Sequence, residues 1–126
     1  MYTVRMNKAV IQKAPFIVPT EDGKLIEEHF GLAAGGGSSV SVAHMVAPPG
    51  WSEPAQTPEF GEYTLVCRGR KRIDLPAGPV VLEAGQSVFV PPGVRVQYSN
   101  PFEEETEYWS LCMPAFSPDL VHREEY

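Results

Sequence analysis

Turn-forming residues recur through this sequence at intervals too short to leave room for long helices. Pro48-Pro49-Gly50, Gly69, Pro76-Ala77-Gly78, Ala84-Gly85, Pro91-Pro92-Gly93 and Asn100-Pro101 separate short runs rich in Val, Ile, Tyr and Phe. Proline fixes φ and lacks an amide donor, while glycine reaches positive φ without strain, so this punctuation marks tight turns between strands. The runs so bounded, 62–68, 70–75, 80–82, 87–90, 94–99 and 106–113, each predict a strand. Thirteen prolines and eleven glycines are spread between these runs, and their regular spacing points to an all-β sandwich or barrel.

Upstream the pattern loosens. Short strand-like pieces stand at 9–12 and 24–30, and the run Ala33-Ala34-Gly35-Gly36-Gly37 predicts a loop, because successive glycines lose too much backbone entropy to sit inside a strand. From Ser38 the period of two is clear: Val40, Val42, His44 and Val46 alternate with Ser41, Ala43 and Met45, which predicts a half-buried strand with the first set on its apolar face. The only helix expected is in the tail, where Ser117 can cap, Pro118 suits the first helical position and Asp119 complements the dipole. At 126 residues one core is expected, divided as an N-terminal arm over 1–37, a barrel over 38–116 and a C-terminal tail over 117–126.

Charge narrows the partners. A formal net charge of −6 argues against binding nucleic acid or an anionic membrane, since a phosphate polymer needs a basic stripe, and Arg68, Arg70, Lys71 and Arg72 form only a local cluster. The N-terminal residues carry no apolar core of signal-peptide length, and no run approaches the roughly 20 apolar residues of a membrane span. A cytoplasmic protein is the expectation. Cys67 and Cys112 are far apart and lack CxxC spacing, so two reduced thiols are expected and neither a disulfide framework nor a zinc ribbon. Cys67 stands beside Arg68, but the sequence pairs it with no histidine that would make it a catalytic thiol.

Two segments carry a family resemblance. Gly50, Gln56, Pro58, Glu62 and Gly69 stand at the spacings of the first cupin motif, and Gly85, Pro91, Gly93, Val96 and Asn100 at those of the second. The chain resembles the cupin family in these scaffold positions, while the places where that family usually carries His, His, Glu, His read Gln56, Pro58, Glu62, Val96. The resemblance implies a single-domain cupin of the conserved-barrel type, a β jelly roll of about eight to ten strands. It also implies a homodimer, with the arm over 1–30 as the element to exchange. Through the resemblance, the face of Glu62, Thr64 and Val66 and that of Val94, Val96 and Tyr98 look into the barrel.

Valine has no donor, proline has none, and glutamine is a weak neutral oxygen ligand, so no cofactor is expected at the usual place. If a divalent transition metal binds, the set on offer is His44, Gln56 and Glu62. Glu62 is the residue singled out: a carboxylate facing a cavity of Thr64, Val66, Val96 and Tyr98 has the character of a general acid or base, or of a partner for a cationic group. The structural alternative is that it hydrogen-bonds to Gln56 or a backbone amide and fixes the loop 52–61. Gln56, His44, Tyr98 and Trp109 join Glu62 as candidate ligand-binding residues, although His44 and Trp109 also suit a core or a dimer contact. His29 and His122 are expected at the surface unless the tail folds over the mouth.

Three functional readings follow. The first is a metal-independent domain that binds a small polar or cationic ligand near Glu62. The second is an enzyme of isomerase, lyase or dioxygenase type, using Glu62 with His44 or Tyr98, or using a metal on the non-standard set. The third is a structural or interaction domain whose cavity is filled by side chains.

Overall fold

The computed structural model describes residues 2–6 and 9–125, with side chains from residue 9. Its twelve strands are β1 (Tyr2–Met6), β2 (Ala9–Ala14), β3 (Phe16–Ile17), β4 (Leu25–Phe30), β5 (Ser41–Ala47), β6 (Trp51–Ser52), β7 (Gly61–Arg68), β8 (Arg70–Leu75), β9 (Gly78–Glu83), β10 (Ser87–Val90), β11 (Gln97–Asn100) and β12 (Thr106–Met113). A single short helix, α1 (Pro118–Val121), closes the tail; the Ser117 hydroxyl accepts from the amide of Asp119 at its start. The expected strands from 62 to 113 are present at nearly their expected bounds. The exception is 94–99, where the ladder starts at Gln97 and Val96 pairs only with Gln56.

The strands form a six-stranded sheet, ordered β10-β7-β12-β5-β4-β3, and a four-stranded sheet, ordered β6-β11-β8-β9, while β1 and β2 pair as a separate hairpin. Pairing is antiparallel throughout. The core lies between the two sheets: Ala47, Val66, Val90 and Tyr108 from one meet Trp51, Ile73, Leu82 and Tyr98 from the other. This is the all-β architecture expected from the turn pattern, in the jelly-roll form that the family resemblance implies. The division expected at residue 37 differs from the observed one, since β3 and β4 extend the large sheet and only the β1–β2 hairpin stands apart from both sheets. Residues 1, 7 and 8 of the expected arm lie outside the described residues.

Both motif ends have structural reasons. Gly69 turns β7 into β8 at φ +77°, and a Cβ there would stand 2.3 Å from the carbonyl oxygen of Glu105, so only glycine fits. Asn100 is buried, and its amide donates to the carbonyls of Ala47 (3.2 Å), Pro48 (3.1 Å) and Glu104 (2.8 Å), tying two segments to one end of β11. The glycine run is the expected loop, folded back by the buried carboxylate of Glu28, which accepts from the Ala34 amide at 2.7 Å.

Candidate functional site

A cavity of about 640 Å³ opens between the sheets. Its walls come from alternate residues of the large sheet, as a pleat requires: Ser41, Ala43 and Met45 of β5, Glu62 of β7, and Tyr108, Ser110 and Cys112 of β12. Lys71 of β8 and Tyr98 of β11 face them from the small sheet. The tail folds over one end, where Phe116 packs near Phe60 and Arg123 pairs with Gln56. His122 nevertheless stays exposed, against Glu59 at 2.6 Å.

Glu62 sits inside as expected and is not isolated. Its carboxylate accepts from the Tyr98 hydroxyl at 3.1 Å and from the Ser110 hydroxyl. Burial, followed by the nearby Glu62 charge, pushes the Tyr98 phenol far above its ordinary value, so it stays a donor. The Cys112 thiol is likewise pushed up by burial and then by Glu62, which keeps it protonated. Gln56 lines the same cavity, but its side-chain oxygen accepts twice from Arg123, at 2.8 and 3.1 Å, and Arg123 also reaches Glu53 at 3.5 Å. Of the residues expected at the site, Gln56, Glu62 and Tyr98 line this one cavity.

The residues it missed are two lysines. Lys24 and Lys71 are buried, at 9% and 2% exposure, and both line the cavity. Among the described residues neither forms an ion pair with a carboxylate in the way the surface cations do, and the Lys24 ammonium acts on the Tyr108 hydroxyl. They lie on aromatic faces instead: the Lys71 ammonium is 3.3 Å from the centroid of the Tyr108 ring and 4.3 Å from that of Tyr98. Lys24 stands 4.3 Å from the Trp51 ring and 5.4 Å from Tyr108. Burial and then the neighbouring Lys24 charge pull Lys71 down to about 7, against the opposing pull of Glu62 and Glu53. For Lys24 burial also favours the neutral amine, but the influence of Tyr108, Glu53 and Glu62 outweighs it and the group stays a cation. The strand 70–75 carried a signal for Lys71, because Lys71, Ile73 and Leu75 share one face and a lysine in an apolar stripe of period two points inward. Lys24 precedes its strand in an irregular segment and gave no such signal.

His44 and Trp109 lie across the sheet from the cavity. They are cross-strand partners on its outer surface, with ring centroids 5.1 Å apart, and the His29 ring also packs near Trp109, with centroids 5.4 Å apart. The imidazole of His44 bridges Glu27 at 2.8 Å and Glu107 at 2.7 Å. Burial disfavours its cation, but these two carboxylates more than compensate and raise its pKa. The expected apolar face of this strand is thus the outer one: Val42, His44 and Val46 point away, and the small residues Ser41 and Ala43 face the cavity, where bulk would fill it. The proposed metal set of His44, Gln56 and Glu62 is not assembled, because the sheet separates the histidine from the other two. The residues at the usual family positions do not fit a transition metal either. Val96 and Pro58 offer no donor, the Gln56 oxygen is engaged by a guanidinium, and two lysines share the space. Among the described residues no three His, Cys, Asp or Glu side chains converge on one point.

The comparisons with known proteins agree with this architecture. The family described as "Cupin domain" matches residues 43–113. A Myxococcus xanthus protein named endoribonuclease YbeY is 47% identical over 124 residues, 98% of this chain, and the chain spans 42% of that protein's length. Among solved structures, an RmlC-like cupin from Shewanella frigidimarina superposes with a TM-score of 0.70 at 18% identity, covering 84% of this chain and 89% of that one. A variant of oxalate decarboxylase from Bacillus subtilis gives 0.71 at 15% identity, covering 90% of this chain and 33% of that one. At such identities these two structures establish the fold alone. Among the described residues no helix is long and apolar enough to cross a membrane.

Proposed function

The chain belongs to the cupin family, and on that premise we propose that it is a small-molecule-binding cupin domain whose cavity takes a small carboxylate without the help of a metal. The observation that carries this reading is the pair of buried lysines facing the cavity, which among the described residues have no carboxylate in ion-pair contact and feel Glu53 and Glu62 only at longer range. A buried cation without a counter-ion is costly, and an anion entering the cavity removes that cost. Glu62, fixed by Tyr98 and Ser110, supplies an acceptor for a hydroxyl or ammonium elsewhere on the ligand. The cationic ligand expected from Glu62 alone is disfavoured once both lysines are counted. The acidic rim of Glu21, Asp22 and Glu53 selects for small, singly charged acids over larger polyanions.

The outer face of the six-stranded sheet supports the homodimer. Tyr63, Leu65 and Phe89 remain 39%, 45% and 46% exposed there, beside Trp109 and Leu111, and a second copy of the chain is the partner that the family resemblance implies. The relative from Myxococcus favours a second reading, in which a domain of this kind serves an RNA-cleaving protein as an accessory ligand sensor. The net charge of −6 argues against direct contact with RNA. The purified chain is accordingly expected to leave RNA uncut.

The test is a thermal-shift panel of small carboxylates, each paired with its primary amide. Carboxylates are expected to raise the melting temperature of the wild type and amides are not, and Lys24→Met is expected to lose most of that difference. Equal shifts for acid and amide, or an unchanged response in Lys24→Met, would overturn the reading.

A further inference from the structure

Lys71 has a geometry that anion binding alone does not require. Lys71 lines the cavity with its amine over the faces of Tyr98 and Tyr108; among the described residues no carboxylate is in ion-pair contact with it, and a second buried lysine, Lys24, also stands near the Tyr108 ring. A lysine desolvated among aromatic rings and placed near another cation is held partly as the free amine at neutral pH, which is the state that attacks carbonyl carbon. The direction of its shift agrees, downward to about 7 through burial and the Lys24 charge. The Tyr108 hydroxyl lines the same space and has no hydrogen-bond partner of good geometry, although the Lys24 ammonium is near enough to act on it; burial raises its pKa and keeps its proton in place. It is therefore a donor available to a carbonyl oxygen.

We propose that Lys71 is an amine nucleophile that condenses with a small oxo acid in the cavity, with Lys24 holding the acid's carboxylate and Tyr108 donating to its carbonyl oxygen. The inference rests on the carboxylate-binding reading above and adds the substrate class and the reacting group. The lone pair of the Lys71 nitrogen forms the C–N bond as the carbonyl π pair moves to oxygen, which takes up a proton while the nitrogen gives one up. The hydroxyl of this carbinolamine then takes up a second proton, equal to the one the ammonium released on becoming the attacking amine; the C–O bond breaks, oxygen leaves as water with its bonding pair, and the nitrogen lone pair closes the C=N bond. In sum, one lysine ammonium and one oxo acid give one iminium and one water, with no oxidant or reductant consumed. Glu62 lowers the energy of the cationic iminium through the same attraction by which it opposes the loss of the Lys71 proton.

The experiment uses pyruvate as the probe and borohydride as the trap, which delivers hydride to the iminium and makes the adduct permanent. Mass spectrometry of the intact wild-type chain is expected to show one addition, equal in mass to the acid less one oxygen. Peptide mapping is expected to place it on Lys71, on the order of tenfold to a hundredfold faster than on the exposed Lys13. Lys71→Met is expected to lose the fast addition, and Lys24→Met to slow it and to need more pyruvate, since it removes both the carboxylate's partner and the charge that favours the free amine. Because the mapping is done on the wild type, the result does not depend on either variant folding. Labelling spread evenly over surface lysines, or none at Lys71, would overturn the proposal. If carboxylates still raise the melting temperature in that case, the binding reading stands and only the imine chemistry fails; if they do not, both fail.

Discussion

Both faces of the six-stranded sheet depart from the usual rule for a sheet in water, because polar groups stand among the core residues of the inner face and large apolar groups among the charges of the outer one. Its inner face carries Ser41, Glu62, Thr64, Ser110 and Cys112, while its outer face exposes Tyr63, Leu65, Phe89 and the Trp109–His44 pair. Polar groups face inward because they surround a cavity, where each must find a partner or serve a ligand: Ser110 and Tyr98 hold Glu62, and the two lysines rest on aromatic rings. Apolar groups face outward over a patch more continuous than isolated exposed residues would form. The difference teaches that one face is shaped for a small molecule and the other for a second protein surface.

The comparison breaks most sharply at Tyr108, the wholly buried residue that joins the core to the cavity wall. Tyr108→Ala is expected to cost about 3–5 kcal/mol in denaturant unfolding, the range of other large aromatic truncations. A loss below about 1 kcal/mol would mean that the inner face is loosely packed.

Lys71 sharpens the same contrast through pH. Its pKa is lowered on folding, so between about 7 and the unfolded value of about 10.4 the unfolded chain binds more protons. Stability contributed at this site is therefore smallest below pH 7 and grows as pH rises through that window. Lys71→Met is expected to flatten this part of the stability profile and to be at least as stable as the wild type at pH 6, as read by chemical unfolding at each pH.

On the outer face the sign is opposite. The His44 pKa is raised on folding, so its contribution is fully present below the unfolded value of about 6.5 and is lost as pH rises through the folded one. Glu27→Gln is expected to lower the midpoint of the His44 ring signals in an NMR titration, while leaving the Lys71 titration unmoved.

The smallest expected effect on the fold is at Leu65, 45% exposed in the single chain. Leu65→Asp is expected to change the stability of the isolated chain by about 0.5 kcal/mol or less. It is also expected to raise the dimer dissociation constant at least tenfold in sedimentation velocity. Equal sedimentation of wild type and variant would remove the protein-surface role from the outer face.

The contrast also explains what the sequence made legible. Turn residues and the period of two located nearly every strand from 62 to 113 and the short tail helix, because proline, glycine and capping chemistry act locally. Periodicity assigns residues to two faces without saying which is inside. On β7 the motif glutamate settled the sign. On β5 the larger residues Val42 and Val46 pointed to the wrong face, and His44 went with them. On β12 Trp109 followed the same logic, while Tyr108 and Ser110, one residue to either side, belong to the cavity. The local basic cluster of Arg68, Arg70, Lys71 and Arg72 hides the distinction, although strand alternation alone separates Lys71 from Arg70 and Arg72. Lys24 reaches the cavity from a turn in which Thr20 donates to the Lys24 carbonyl and Asp22 accepts from its amide, a tertiary placement that no local pattern encodes.

The most direct test of the buried cation pair is NMR of the wild-type protein with lysine labelled at its ε-carbon, followed through a titration with acetate at neutral pH. The account predicts that the Lys24 and Lys71 signals shift together and saturate, and that the Lys71 midpoint rises from about 7 as the bound anion favours its charged form. Signals of Lys24 and Lys71 that stay fixed, or that drift without saturation in parallel with Lys13, would contradict it.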